Sequence, residues 1–158
     1  MTCPSDPVIV IDTREQRPYS FSTRVAGSVR KALPAGDYSV AGRETEIAIE
    51  RKTMDDYIAT IVHARTRFSR ELAALRQYRH AWIVVEGSLD DLLRGRYASR
   101  AHPNAVLALT TQIMCASGIP VLFAHSRPCA RALVEALLLR CAGVEMEEMR
   151  WQNAPQQP

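Results

Sequence analysis

The stretch GDYSVAGRETEIAIERKTMDD, residues 36–56, decides how the chain is read. Gly36 and Asp37 close a turn (PAGD, 34–37), YSV resumes extended backbone, and TEIAIERK (45–52) alternates, turns apolar and then runs straight into three charged residues. Side chains alternate between faces along a strand, so Glu50 and Lys52 share one face and Arg51 takes the other. If the two extended segments form a hairpin, Asp37 and Glu50 converge on one spot. On these residues alone two readings stay open. A solvated strand end accounts for the charge, and so does a metal-dependent active site.

Outward from the hairpin the pattern is mixed. VIVID (8–12) is a β-branched run that predicts a buried strand, and SVRKAL (28–33) predicts a second. Residues 55–64 and 67–78 have helical spacing, with Phe68, Leu72 and Leu75 on one face. AWIVVEG (81–87) is a buried strand, and SLDDLLRG (88–95) a short helix capped by Ser88 and closed by Gly95. A helix with proline near its start spans 103–118, a strand 119–124, and a last helix 126–143 with Ser126 as its cap. Strands come first, then helices alternating with strands. The fold class expected is α/β, a central mixed sheet flanked by helices.

The chain has 158 residues, 47% of them apolar, which suits one domain. No secretory leader is expected in MTCPSDPVIVID, and no apolar run reaches the roughly 18 residues of a membrane span. The four cysteines and four histidines are scattered, which points to free thiols in a reducing cytoplasm and away from a zinc site. The net charge of +3 is built almost wholly from arginine, Lys31 and Lys52 being the only lysines. Arginine dominance reflects a GC-rich genome or serves phosphate recognition, for which the guanidinium fork is suited.

Two carboxylates and a lysine at a sheet end suit Mg²⁺, which takes oxygen ligands and keeps several waters. Such a metal lowers the pKa of a bound water and offsets charge on phosphoryl oxygens. The string GD, a gap, ERK, three residues and Asp56 resembles the signature of the XPF-type (Hef-like) nuclease domain family, a branch of the PD-(D/E)xK nucleases. Asp12-Thr13-Arg14-Glu15 matches that family's D-x-R-E landmark at the end of the first strand. The resemblance covers residues 8–143, with tails at 1–7 and at 144–158, the latter expected to be largely disordered.

The resemblance implies a restriction-endonuclease-like fold and a Mg²⁺-dependent endonuclease, with Mn²⁺ able to substitute. Asp37 and Glu50 would be the principal metal ligands, the Arg51 carbonyl would complete the shell, and Lys52 would be the catalytic lysine. Asp12 and Glu15 would be further catalytic acidic residues at the same site, serving a second metal or its waters, with Asp12 a metal ligand. Arg14 either pairs with these carboxylates or touches the scissile phosphate. Thr53 and Asp56 read first as a capping box for the next helix, with support of Arg51 or Lys52 as the alternative for Asp56. Asp55 is expected to be exposed.

DNA contacts are expected from Arg65, Arg67 and Arg70, and from Arg96 and Arg100 beside Arg94 in the 92–106 loop. Arg65 matches a family GR element in which Ala64 replaces the glycine, and Arg67 is also placed to pair with Glu71. The substrate class implied is branched, flap or forked DNA in repair, recombination or replication, in a bacterial or phage-infected cytoplasm. Helix-hairpin-helix and helicase modules of relatives are not expected, so a protein partner is a further source of selectivity. Helices at 105–114 and 132–142 are apolar around most of their circumference, so they are buried in the core or at an interface; the resemblance implies a homodimer through the nuclease domain. The alternatives are a non-catalytic DNA-binding or scaffold subunit, or a nuclease of this fold acting on duplex DNA or RNA.

Overall fold

The structure, a computed structural model, describes residues 6–143, so the expected C-terminal tail lies outside the described residues. Six strands form one sheet: β1 (Val8–Ile11), β2 (Gly27–Arg30), β3 (Tyr38–Val40), β4 (Ile47–Thr53), β5 (His80–Glu86) and β6 (Val121–Phe123). Five helices accompany them: α1 (Met54–His63), α2 (Arg65–Leu75), α3 (Leu89–Leu93), α4 (Pro103–Ser117) and α5 (Arg127–Cys141). The sheet order is β2-β1-β3-β4-β5-β6. β3 runs antiparallel to both β1 and β4, whereas β1–β2, β4–β5 and β5–β6 are parallel. The mixed sheet expected from the element order is therefore present.

This topology sets the site. Because β3 opposes its neighbours, the ends of β1 and β4 and the start of β3 meet at one edge of the sheet, with the end of β5 beside them. Asp37 N–H donates to the Ile49 carbonyl (2.8 Å), and Asp12 N–H donates to the Asp37 carbonyl (2.8 Å). Gly36 makes the approach possible. Its φ is +76°, and a Cβ there would lie 3.1 Å from the Ile49 carbonyl oxygen. Both the left-handed backbone and the close contact call for glycine.

The sheet is covered on both faces. On one, Ile47, Ile49 and Val84 pack with Ala130, Val134, Leu138 and Leu139 of α5. On the other, Ala48, Ile83 and Val85 pack with Tyr57, Ile58 and Ile61 of α1, Phe68 and Leu75 of α2 and Val106 of α4. Each large apolar side chain buried this way contributes roughly 1.5–3 kcal/mol. The parity continues past the apolar run: Glu50 and Lys52 follow Ala48 to the α1/α2 face, and Arg51 follows Ile49 to the α5 face.

Local signals hold at most helix ends. Ser88 and Asp91 form a reciprocal capping box, Ser126 accepts from Cys129 N–H, and Gly118 (φ 72°) follows α4. The second strand is shorter than expected, ending at Arg30, because Leu33 N–H is taken by the Asp12 carboxylate (2.7 Å) instead of a ladder. The last strand is confined to Val121–Phe123. On α4 only Val106 and Thr110 are buried; Leu107, Leu109, Ile113 and Met114 are half-buried, and Ala105, Ala108, Thr111, Gln112, Cys115 and Ala116 are exposed. No helix of the described residues is long and apolar enough to cross a membrane.

Candidate active site

Asp37 and Glu50 line a cleft of about 330 Å³ with Arg14, Gly36, Arg70 and Glu71. Asp37 is fixed by its backbone and by its side chain, whose Oδ2 accepts from Arg51 N–H (2.7 Å). The N–H and C=O of one strand residue leave on the same side. The Arg51 carbonyl therefore faces Asp37 and the cleft, away from β5. Burial, and then the nearby charge of Glu50, push Asp37 up to about 7.

Lys52 lies on the same face, with Nζ 3.0 Å from Glu50 Oε1 and 3.6 Å from Glu71 Oε2. Burial works to lower its pKa, but Glu50 and then Glu71 outweigh that and hold it above the ordinary value. Lys52 is therefore an ammonium, able to orient a ligand or stabilise negative charge rather than to accept a proton. A second cleft of about 330 Å³ joins Arg51, Lys52, Asp56 and Arg67.

Asp12 has another task from the one expected. Its Oδ1 accepts from Arg14 N–H (2.8 Å) and Nε (2.7 Å), and its Oδ2 from Leu33 N–H (2.7 Å) and an Arg14 terminal nitrogen (3.1 Å). Four donors fill a carboxylate's acceptor sites, so no lone pair of Asp12 is left to face a metal. Burial opposes its charge, yet these donors hold it below the usual carboxylate range. Arg14 is mostly exposed and lines the cleft while it holds Asp12.

Glu15 faces away from the cleft. Its two oxygens accept from Arg51 (2.8 and 3.1 Å), and Arg51 also reaches Glu86 Oε1 (3.2 Å). Glu86 Oε1 further accepts from Tyr19 Oη (2.6 Å) and from Arg127 of α5 (2.9 Å). The Arg127 guanidinium stacks over the Tyr19 ring at 4.7 Å. This group ties β4, β5, α5 and the loop after β1 together beneath the cleft.

The cap at α1 is one-sided: Thr53 Oγ1 accepts from Asp56 N–H (3.1 Å), and the Asp56 side chain lines the second cleft. Asp55 is exposed, as expected, and it accepts from Ala98 N–H (2.8 Å), which pins the basic loop. Arg65, Arg67 and Arg70 are all exposed on α2, but they differ in place. Arg67 borders Lys52 and Arg70 borders Asp37, whereas Arg65 lines neither cleft. Arg96 is paired with Asp90 and Asp91, and Arg94 with Asp90. Arg100 lines an open groove with Asp56 and His63.

The residues missed in sequence were Glu86, Tyr19 and Arg127; Glu71, expected only as a partner of Arg67, also lies beside Lys52. Arg127 carried a signal: a cation in the first turn of a helix opposes the helix dipole and calls for a nearby carboxylate. Glu86 closes an apolar strand in the same way that Glu50 does. Among the described residues, no three His, Cys, Asp or Glu side chains group closely enough to hold a metal. A cation held in this cleft would have Asp37, Glu50 and the Arg51 carbonyl as its protein ligands, a hard oxygen set of the kind Mg²⁺ takes.

An α/β sheet with carboxylates and a lysine gathered at one edge is the restriction-endonuclease-like arrangement. The chain belongs to the ERCC4 domain family, whose model matches residues 11–137. The XPF-type assignment made from GD, ERK and Asp56 is thereby borne out. XPF from Aeropyrum pernix has the same fold, at 23% identity and a TM-score of 0.66 over 85% of this chain. This chain spans 65% of that protein's length. A second structure, XPF from Aeropyrum pernix in complex with DNA, matches at 22% identity and a TM-score of 0.64. It covers 91% of this chain and 69% of that one. No curated protein sequence matches the chain.

Proposed function

We propose that the chain is a divalent-cation-dependent DNA endonuclease that hydrolyses phosphodiester bonds, with branched, flap or forked DNA as its substrate class. The observation that carries this is the gathering of Asp37 and Glu50 in one cleft, with the Lys52 ammonium 3.0 Å from Glu50. Asp37, Glu50 and the Arg51 carbonyl would hold Mg²⁺ or Mn²⁺, and neither Asp12 nor Glu15 is needed as a ligand. When bound, the cation would activate water and neutralise charge on the phosphoryl oxygens. Lys52 would orient that water or stabilise the charge that develops during in-line attack. Exposed Arg67 and Arg70, on either side of the acidic residues, would bind flanking phosphates. Family membership supports the nuclease reading. The branched substrate and a homodimer through α4 and α5 are carried by the resemblance.

The test is cleavage of labelled flap, fork, duplex and single-stranded DNA, and of RNA, with Mg²⁺ or Mn²⁺. Wild type is expected to cut a branched DNA, and Asp37→Ala to lose roughly a hundredfold or more. Equal cleavage by both would reject the site. A wild type that cuts none of them would return the chain to the reading of a non-catalytic DNA-binding subunit.

A further inference from the structure

Glu71 lies outside the family signature and beside its lysine. Its Oε1 is 3.5 Å from Arg67 Nε, and its Oε2 is 3.6 Å from Lys52 Nζ. That Oε2 is buried and has no hydrogen-bond partner among the described residues. Buried carboxylate oxygens without a donor are uncommon, and each calls for an explanation. Phe68, three residues earlier on the same helix face, places its ring 5.9 Å from the Lys52 ammonium. Together, α2 offers Lys52 a ring, and a free acceptor in the cleft that Glu50 also lines.

Lys52 and a cation would compete for Glu50. In the structure Glu50 Oε1 accepts from Lys52 at 3.0 Å, yet Glu50 is also an expected cation ligand. Glu50 has acceptor sites to spare, but a cation on it would draw on the same negative charge that holds Lys52 and would repel the ammonium. We propose that Glu71 is a positioning residue that receives the Lys52 ammonium when Glu50 is engaged by a cation. A lysine stem allows a shift of this size, and its ammonium has three donors to redistribute. The shift would close the long Lys52–Glu71 contact into a hydrogen bond. It would also keep Lys52 at the mouth of the cleft instead of releasing it to solvent. The inference rests on the reading of the cleft as a cation and phosphate site.

Only two lysines are present in the sequence, which makes the transfer observable. Lysine labelled with ¹³C and ¹⁵N reports Lys31, whose side chain is 61% exposed, and Lys52, at 10%. Added Ca²⁺, used as the probe, is expected to move the Lys52 ammonium and Cε signals in wild type. In Glu71→Ala, which leaves no acceptor there, the Ca²⁺-bound signal should move to the position of a solvated lysine. In parallel, cleavage kinetics of Glu71→Ala should show kcat reduced roughly tenfold with KM unchanged. In a Lys52→Met background, Glu71→Ala should have no further effect, since the two would act as a unit. Identical Ca²⁺-bound Lys52 signals in wild type and Glu71→Ala would overturn the proposal, as would additive losses in the double variant. A wild type that shows the Ca²⁺ response but cuts no nucleic acid would sink the nuclease reading while the Glu71 transfer stands.

Discussion

Asp37 sits where burial and a second carboxylate both oppose its charge. A carboxyl whose folded pKa lies at about 7, against an ordinary value of 3.8, binds its proton more tightly when folded. Its contribution to stability is therefore present at low pH and is lost as pH rises from about 4 to about 7. Asparagine keeps the acceptor for Arg51 N–H but cannot ionise. Metal-free Asp37→Asn is thus expected to match wild type in Tm at pH 4 and to exceed it by a few degrees at pH 8, about 1 kcal/mol or more. Thermal unfolding at the two pH values checks this, and no widening of the gap would show that the carboxylates are not coupled. Added Mg²⁺ should raise wild type and leave Asp37→Asn unmoved. At this scale Glu50 and Lys52 were legible, because strand parity is a two-residue rule. Asp12 was not, because whether an acid faces a cleft or caps Leu33 N–H depends on the path of a loop.

Among the elements, the Glu86 cluster joins two strands, the loop after β1 and the first turn of α5. Glu86 is 10% exposed and accepts from three side chains, two of them cationic. Removing it would strand Arg51 and Arg127 without a shared partner. Glu86→Ala is expected to cost about 2–4 kcal/mol in urea unfolding with an unchanged m-value. A loss below about 0.5 kcal/mol would mean that solvent already screens the cluster. Helices were legible by their caps, as Ser88 and Ser126 show, since capping is local chemistry. The end of β2 was not, because a side chain remote in sequence takes the Leu33 N–H that would have continued it.

Over the whole molecule, a net charge of +3 gives little overall attraction for a polyanion, so binding depends on where the arginines stand. Arg67 and Arg70 flank the acidic residues, while Arg94 and Arg96 are held by Asp90 and Asp91. DNA affinity measured in Ca²⁺ should fall linearly with salt on logarithmic axes. Arg67→Ala should reduce that slope by about 1, and Arg96→Ala should change it less. Equal effects would put DNA across the 92–106 loop as well. The fold class was legible because element order and apolar runs limit topology. The neighbours within the sheet were not, since nothing local dictates that β1 pairs with both β2 and β3.

The parity of β4 bears on how such a sequence can change over time. Within 47–52 every odd position through Arg51 serves the α5 face and every even one the face of the cleft. Deleting one residue there would carry isoleucine into the cleft and lysine into the core. The tip of the hairpin, 41–46, lies at the far end of the strands and has no such constraint. Length variation between GD and ERK is therefore expected to gather at that tip, while a gap inside the hexapeptide would mark a chain that has given up this chemistry.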